Sequence, residues 1–433
     1  LELHVSKQEQ QLTYAPRNHQ LTNANVWTPD SQWIVFDVRP SGSSFTGLTI
    51  ERVNCATCEV EILYQATQGA HVGVVTASQV EPTRYAFIHG PENPDALWQY
   101  DFHHRRGVIV DDRQRGHAVN LDAMDITAPY TTGALRGGSH VHMFSPDGSR
   151  LSFTYNDHVL HERDPALDLR NVGVAVPLGE VNVSKQHPRE YSGSHFCVLV
   201  SQTTASPTAG SDQINRAYEE GWIGNRGYDK DNGTHQRWAL AFIGDTLDKQ
   251  GNKVAEIFVV DLPDALTDYA KAGNSPLAGT DETMPAPPIG VKQRRITFTD
   301  SRRYPGLVGQ PRHWLRSSPD GENIAFLMKD DDGTVQLWLV SPNGGDPYQV
   351  TRGDHDVQSA FSWSPDGRSV AFVMDNSIVS CDVISGVVTR LTEKSAVAPL
   401  PDAVVYSPDG KKIAYARQID GYSQLFYLTI DAE

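Results

Sequence analysis

A pattern of two short apolar runs around a polar turn recurs along the chain. The turn is Ser-Pro-Asp-Gly, complete at 145–148, 318–321, 364–367 and 407–410 and degraded at Thr28-Pro29-Asp30-Ser31. An apolar run follows each full copy: Leu151–Tyr155, Ile324–Met328, Val370–Met374 and Ile413–Ala416. Proline fixes φ at the first turn position and Asp-Gly supplies the reversal, so each unit reads strand, tight turn, strand. The last three turns begin 46 and 43 residues apart. A period near forty, with about four short strands per unit, predicts propeller blades.

The expected fold is therefore all-β: a seven-bladed β-propeller, a single domain over residues 1–433. Blade one spans about 21–64, blade two starts at His71 and blade three at His140. Blade four is expected to begin at His195-Phe-Cys-Val-Leu-Val200 and to continue through Trp238–Gly244, Glu256–Asp261 and Arg294–Thr299. Blades five (313–351), six (361–392) and seven (404–428) are regular. A strand at Gln11–Tyr14 is expected to complete blade seven and close the ring, which removes exposed strand edges. Two insertions in blade four, about 201–236 and 267–290, are rich in Gly, Ser, Pro and Asn and read as long loops, with one short helical candidate at Gln213–Glu220.

Counting back five residues from each turn finds the place where the inner strand enters near the axis. Polar residues occupy it throughout: Asn23, His71, His140, His195, His313, Ser359 and Asp402. Equivalent positions of a radial repeat converge, so His71, His140, His195 and His313 are expected to ring one mouth of the channel. His142 faces the same way two residues on, and Gln310 lies in the loop leading to His313. Converging imidazoles suit a divalent transition ion; the structural alternative is a channel lined by histidines bonded to backbone carbonyls. Arg136, Arg189 and Arg312 enter from neighbouring loops and would grip a carboxylate. His89 ends a second strand and returns to the same face, whereas His103-His104-Arg105-Arg106 reads as a solvated outer turn.

Composition narrows the picture. The formal net charge is −16 without a basic block, which argues against nucleic acid as a ligand. No apolar run is long enough to span a membrane. Cys55 and Cys58 read as free thiols in a turn. Four cysteines fit a reducing compartment, and Leu1–Gln11 has no signal-peptide layout, so the cytoplasm is expected, or the periplasm if a leader has been removed. There is no Gly-x-Ser-x-Gly elbow, phosphate loop or dinucleotide fingerprint.

With turns, ring and closing strand in view, the chain resembles TolB-type propellers. Ala15-Pro-Arg-Asn-His19, Phe36-Asp-Val-Arg-Pro-Ser-Gly42, Arg136-Gly-Gly-Ser-His-Val-His142 and Gln186-His-Pro-Arg-Glu-Tyr-Ser-Gly-Ser-His195 resemble the uncharacterised YidR-like family of bacterial proteins. A more distant similarity is to oligogalacturonate lyases, which bind a manganese-type ion on the axis through Gln-x-x-His-x-His. Gln310-Pro-Arg-His313-Trp-Leu315 matches the first two ligands, with Leu315 in place of the third. The resemblance implies a metal-dependent lyase acting on a uronate-containing oligosaccharide. Its ligands would be His140, His195, His313 and Gln310, with His142 in reserve. His71 would be the base, Arg136 or Arg189 the carboxylate clamp, and His89, Arg312 and Asp402 would contact substrate. Manganese is the expected ion, with calcium, zinc or nickel as alternatives. The other readings are a non-catalytic interaction propeller and a metal-assisted glycoside hydrolase using Asp402. The sequence fixes no oligomeric state.

Overall fold

The Ser-Pro-Asp-Gly turns set the strand pairing. In a computed structural model, which describes residues 2–3 and 9–430, every turn serine bonds its own aspartate, as Ser145 Oγ to Asp147 Oδ1 at 2.8 Å and Ser364 Oγ to Asp366 Oδ1 at 2.6 Å. The same hydroxyl accepts the amide five residues on, for example Arg150 N at 3.0 Å and Lys412 N at 2.9 Å. The glycine sits at positive φ, 70° at Gly148 and 80° at Gly321, which an L side chain rarely adopts. The degraded copy keeps this geometry: Thr28 Oγ1 bonds Asp30 at 2.5 Å, and Ser31 takes the glycine's place at φ 59°.

Each turn joins an inner strand to the second strand of its sheet. Seven such sheets form the seven-bladed propeller, as expected. Blade one contains Trp33–Asp37, Thr49–Asn54 and Val60–Gln65, with Trp27 bridged to Ile34 in place of a regular inner strand. Blade two runs from Val72–Ala77 to Ala118–Asn120, and blades five to seven follow the expected order. Glu9–Gln11 pairs antiparallel with Tyr422–Thr429 and closes the ring in blade seven, slightly ahead of the expected Gln11–Tyr14. Glu9 forms an ion pair with Arg417 at 2.9 Å there. Glu2–Leu3 adds a parallel strand to the edge of blade six. Apolar side chains from facing blades fill the spaces between sheets, among them Trp27, Tyr85 and Phe153, all fully buried.

Blade four departs from expectation. Phe196–Leu199 pairs with Asn171–Val176 and is the outer strand of blade three. The inner strand of blade four is Ala217–Trp222, which pairs with Trp238–Leu247. It lies where a helix was expected at 213–220. The sequence Ala217-Tyr-Glu-Glu-Gly-Trp222 has no full turn after it, so the repeat's signature is missing and a different Ser-His segment took its place in the count.

Candidate functional site

The inner strands of blades two, three and four share a bulge near the axis. It falls between Gly73 and Thr76, His140 and Met143, and Tyr218 and Gly221. Val74, Val141 and Glu219 adopt φ of 61°, 51° and 54° at these bulges, a strained conformation for such residues. The structural equivalents of His140 are thus Gly73 and Tyr218. Blade two turns at Ser78, whose amide bonds Arg84 O as Ser145 bonds Arg150 O. Counting from Thr76 had shifted the register by two, so His71 lies ahead of the strand. His195 precedes the outer strand of blade three, where its Nδ1 meets Ser194 Oγ at 2.9 Å. The expected ring of four equivalent imidazoles is not formed.

The remaining axial residues are held by the protein itself. His313 donates from Nδ1 to Pro311 O at 3.0 Å and accepts Leu327 N–H on Nε2 at 3.2 Å, so both nitrogens are used. Ser359 occupies the same place in blade six and accepts Val373 N–H at 2.8 Å, which shows that the position caps a strand amide. His142 is fully buried, with Nε2 on Ser139 Oγ at 2.8 Å. Its ring fills the space a side chain would need at Gly107, where a Cβ would stand 2.5 Å from Nε2. Burial, with Arg105 nearby, pushes its pKa down to about 3. His140 accepts Arg170 Nη2 on Nδ1 at 2.7 Å, which takes the single lone pair of a neutral imidazole. His89 is likewise satisfied, by Gly90 O at 2.6 Å and Tyr64 Oη at 3.0 Å. Ala24, Val74, Val141, Met143 and Trp314 pack together at the axis. These surroundings do not suit an axial ion.

The expected arginines divide. Arg136 is fully buried, paired with Asp157 at 2.8 Å and bonded to Thr280 O and Thr283 O, so it latches blade three to the second insertion. Arg189 bonds Glu92 O, Asn93 O and Asp95, tying two surface loops together. Arg312 pairs with Glu219 at 2.8 Å. Arg312, His140, Gln310 and Asp402 do come together, with Arg39, around a cavity of about 130 Å³ at one mouth of the channel.

A second cluster lies off the axis on the same face. It is built by the loop between the second and third strands of blade two and by the short helix His158–Arg163 after the second strand of blade three. Asp157 caps that helix by accepting Leu160 N–H at 2.8 Å. The ligand atoms of His103, His104 and His158 lie within 4.8 Å of one another, as do those of His103, His161 and Asp168. His104 donates from Nδ1 to Gln99 O at 2.7 Å, which fixes its tautomer and leaves Nε2 facing His158 Nδ1 at 3.2 Å. Two nitrogens on one tetrahedral ion, with bonds of about 2.0–2.1 Å, stand about 3.3 Å apart. His161 Nδ1 is buried with no hydrogen-bond partner, 3.4 Å from Asp168. Trp98 stacks on His104 at 3.7 Å, and the His103 and His161 rings stack at 3.9 Å.

Electrostatics favour cations here only as ligands' guests. Burial first, then the neighbouring imidazoles, pushes His103 down to about 4 and His158 down to about 3; burial also lowers His104. At neutral pH these rings are therefore uncharged, the form that binds a metal. The cluster corrects the sequence reading of 103–106 as a solvated turn, since His103 and Arg105 are buried. The signal present in the sequence was His158-x-x-His161, two imidazoles on one helix face, in a loop equivalent to the one that carries His103-His104.

Fold and site together define a seven-bladed β-propeller with an imidazole cluster able to hold a metal. Residues 71–191 match a family described as a protein of unknown function, DUF3748. The chain is 63% identical over 413 residues to the uncharacterised protein YidR of Escherichia coli K12, covering 95% of this chain and 96% of that one. It belongs to the YidR family. Among solved structures, an oligogalacturonate lyase in complex with manganese superposes with a TM-score of 0.58 at 11% identity, over 98% of this chain and 93% of that one. TolB from Acinetobacter baumannii aligns at 11% identity over 92% and 80%, with a TM-score of 0.39. The likeness to the lyase is one of fold.

Proposed function

We propose that this protein is a divalent-metal-dependent lyase that cleaves a uronate-containing oligosaccharide by β-elimination on the face carrying the imidazole cluster. The observation that supports it most is the set of neutral, converging imidazoles with a partnerless buried nitrogen, beside an arginine-bearing mouth. His104 and His158 would hold the ion, with His103, or His161 and Asp168, completing the donor set. Imidazole with carboxylate suits manganese, zinc or nickel; manganese is the ion in the lyase of similar fold.

The proton α to a carboxylate is a weak acid, so elimination requires the carboxylate's charge to be offset as the carbanion develops. A bound divalent ion supplies that Lewis-acid neutralisation. The arginines of the mouth orient the acidic sugar. Where His103 completes the donor set, His161 is left free to accept the proton, the bond to the leaving sugar's oxygen breaks as the double bond forms, and that oxygen takes a proton from water. Trp98 excludes water from one side of the cluster.

Metal analysis of protein purified without a histidine tag, combined with ultraviolet absorbance on a panel of oligouronides, tests the reading. Stoichiometric metal is expected, with a conjugated unsaturated uronate as product and loss of that product on chelation. Metal-free protein that regains no elimination activity with any divalent ion contradicts it. A hydrolase would give saturated ends instead. A non-catalytic binding role has one observation in its favour: a funnel of about 800 Å³ at the turn end of the channel, lined by Trp222, Trp363 and Tyr406.

A further inference from the structure

The donor atoms of the off-axis cluster divide between two ions. Those of His103, His104 and His158 lie within 4.8 Å of one another, and so do those of His103, His161 and Asp168, but no set of that spacing unites His104 and His158 with His161 or Asp168. Donors on one ion, with bonds of about 2.0–2.2 Å, stand at most about 4.4 Å apart, on opposite sides of it. An ion held by both His104 and His158 therefore leaves His161 and Asp168 outside its shell. Ring geometry then assigns His103. It stacks on His161 with 3.9 Å between centroids and 22° between planes. Stacked rings direct their in-plane lone pairs side by side, so one ion does not take both, and His103 completes the first donor set.

His161 and Asp168 are left as a pair with a gap between them. Asp168 Oδ1 accepts Asp157 N–H at 2.7 Å and Asn156 Nδ2–H at 3.2 Å, which fixes the carboxylate. Its Oδ2 lies 3.4 Å from His161 Nδ1. That nitrogen is buried and has no hydrogen-bond partner, so the two atoms stand close without bonding. Two ligands on one tetrahedral ion are about 3.3 Å apart. The rest of the His161 side chain is 31% exposed, so a hydrated ion reaches the pair from solvent.

We propose that His161 Nδ1 and Asp168 Oδ2 form a second divalent-cation site, weaker than the first, and that an ion there shuts off elimination. The inhibition rests on the lyase reading; the second site does not. With two protein donors against three, this ion keeps more of its waters and is lost when the protein is desalted. Imidazole, carboxylate and water together suit manganese. Once bound, the ion occupies the lone pair with which His161 would accept the proton, and the centre has no base. Elimination therefore passes through a maximum as metal rises.

Calorimetric titration of metal-stripped, tag-free protein with manganese chloride counts the sites. Two are expected, the second at least tenfold weaker. His161→Ala and Asp168→Asn should each remove the second and leave the first, while His104→Ala should remove the first, with circular dichroism reporting the fold. Alanine favours the helix that carries His161, and asparagine keeps an acceptor for Asp157 N–H, so either variant remains informative if the other does not fold. A single equivalent in the wild type, a second site that persists in folded His161→Ala, or loss of both sites in that variant overturns the proposal. Elimination of oligouronides is expected to fall at least tenfold as the second site fills, and undiminished elimination overturns the inhibition. Two sites without elimination at any manganese concentration would leave the second site standing and remove the lyase; elimination on one equivalent with no second site would do the reverse.

Discussion

Single side chains decide which polar groups in this propeller are free to act. His313, His89 and His142 look alike in sequence to a ligand set, yet His313 and His89 spend both nitrogens on the fold, and His142 bonds Ser139 through Nε2 while its buried Nδ1 has no partner. Burial holds His89 down to about 4 and His142 down to about 3, against an ordinary 6.5. Between pH 6.5 and those values the unfolded chain takes up protons that the folded rings refuse. Their contribution is therefore whole above pH 6.5 and lost as pH falls through that window, by up to about 1.4 kcal/mol per unit for each ring. Asp122, pushed up to about 7 by burial, works in the opposite sense between its ordinary range and pH 7. The rings should be followed individually: NMR at pH 5 is expected to show both neutral, and a protonated His142 at that pH would contradict its placement.

At the scale of elements, the turn serine is a cap that serves two partners at once. Ser364→Ala removes the bonds to Asp366 and to Ser369 N and is expected to cost about 1–2 kcal/mol in denaturant unfolding, whereas Ser149→Ala, at a half-buried position whose hydroxyl caps no strand amide, should cost less. Where the turn is intact, the sequence revealed the blade; where it is missing, register failed. Blade two turns at Ser78 through Gln-Val-Glu-Pro-Thr, and blade four has no proline-aspartate turn, so His71 and His195 were assigned to places held by Gly73 and Tyr218. The off-axis cluster was hidden for a different reason. Its histidines come from loops of two blades that carry no repeat, and only the packing of those loops joins them. His104→Ala with His158→Ala is expected to abolish metal binding, measured by elemental analysis, with the far-ultraviolet spectrum unchanged.

For the whole molecule, the closing strand converts seven sheets into a ring. Deleting residues 1–11 removes the pairing with Tyr422–Thr429 and the Glu9–Arg417 ion pair. The melting temperature is expected to fall by several degrees, since a loss of about 1 kcal/mol shifts a protein of this size by about 1 °C and a whole strand pairing with its ion pair is removed. An unchanged melting temperature would mean that the ring is closed by other contacts. Architecture and closure were legible because hydrophobic patterning and turn chemistry act everywhere at once. The site was less so, because a seven-fold repeat explains only what the blades share, and the cluster belongs to two of them. A metal bound only by the folded chain stabilises it by mass action, so chelation should also lower the melting temperature.

The central claim is that a divalent ion binds over blades two and three and not on the axis. Anomalous diffraction from crystals grown with manganese tests it directly. The account predicts a peak within bonding distance of His104 Nε2 and His158 Nδ1; a peak on the axis beside His140 and His313, or none at the cluster, would contradict it.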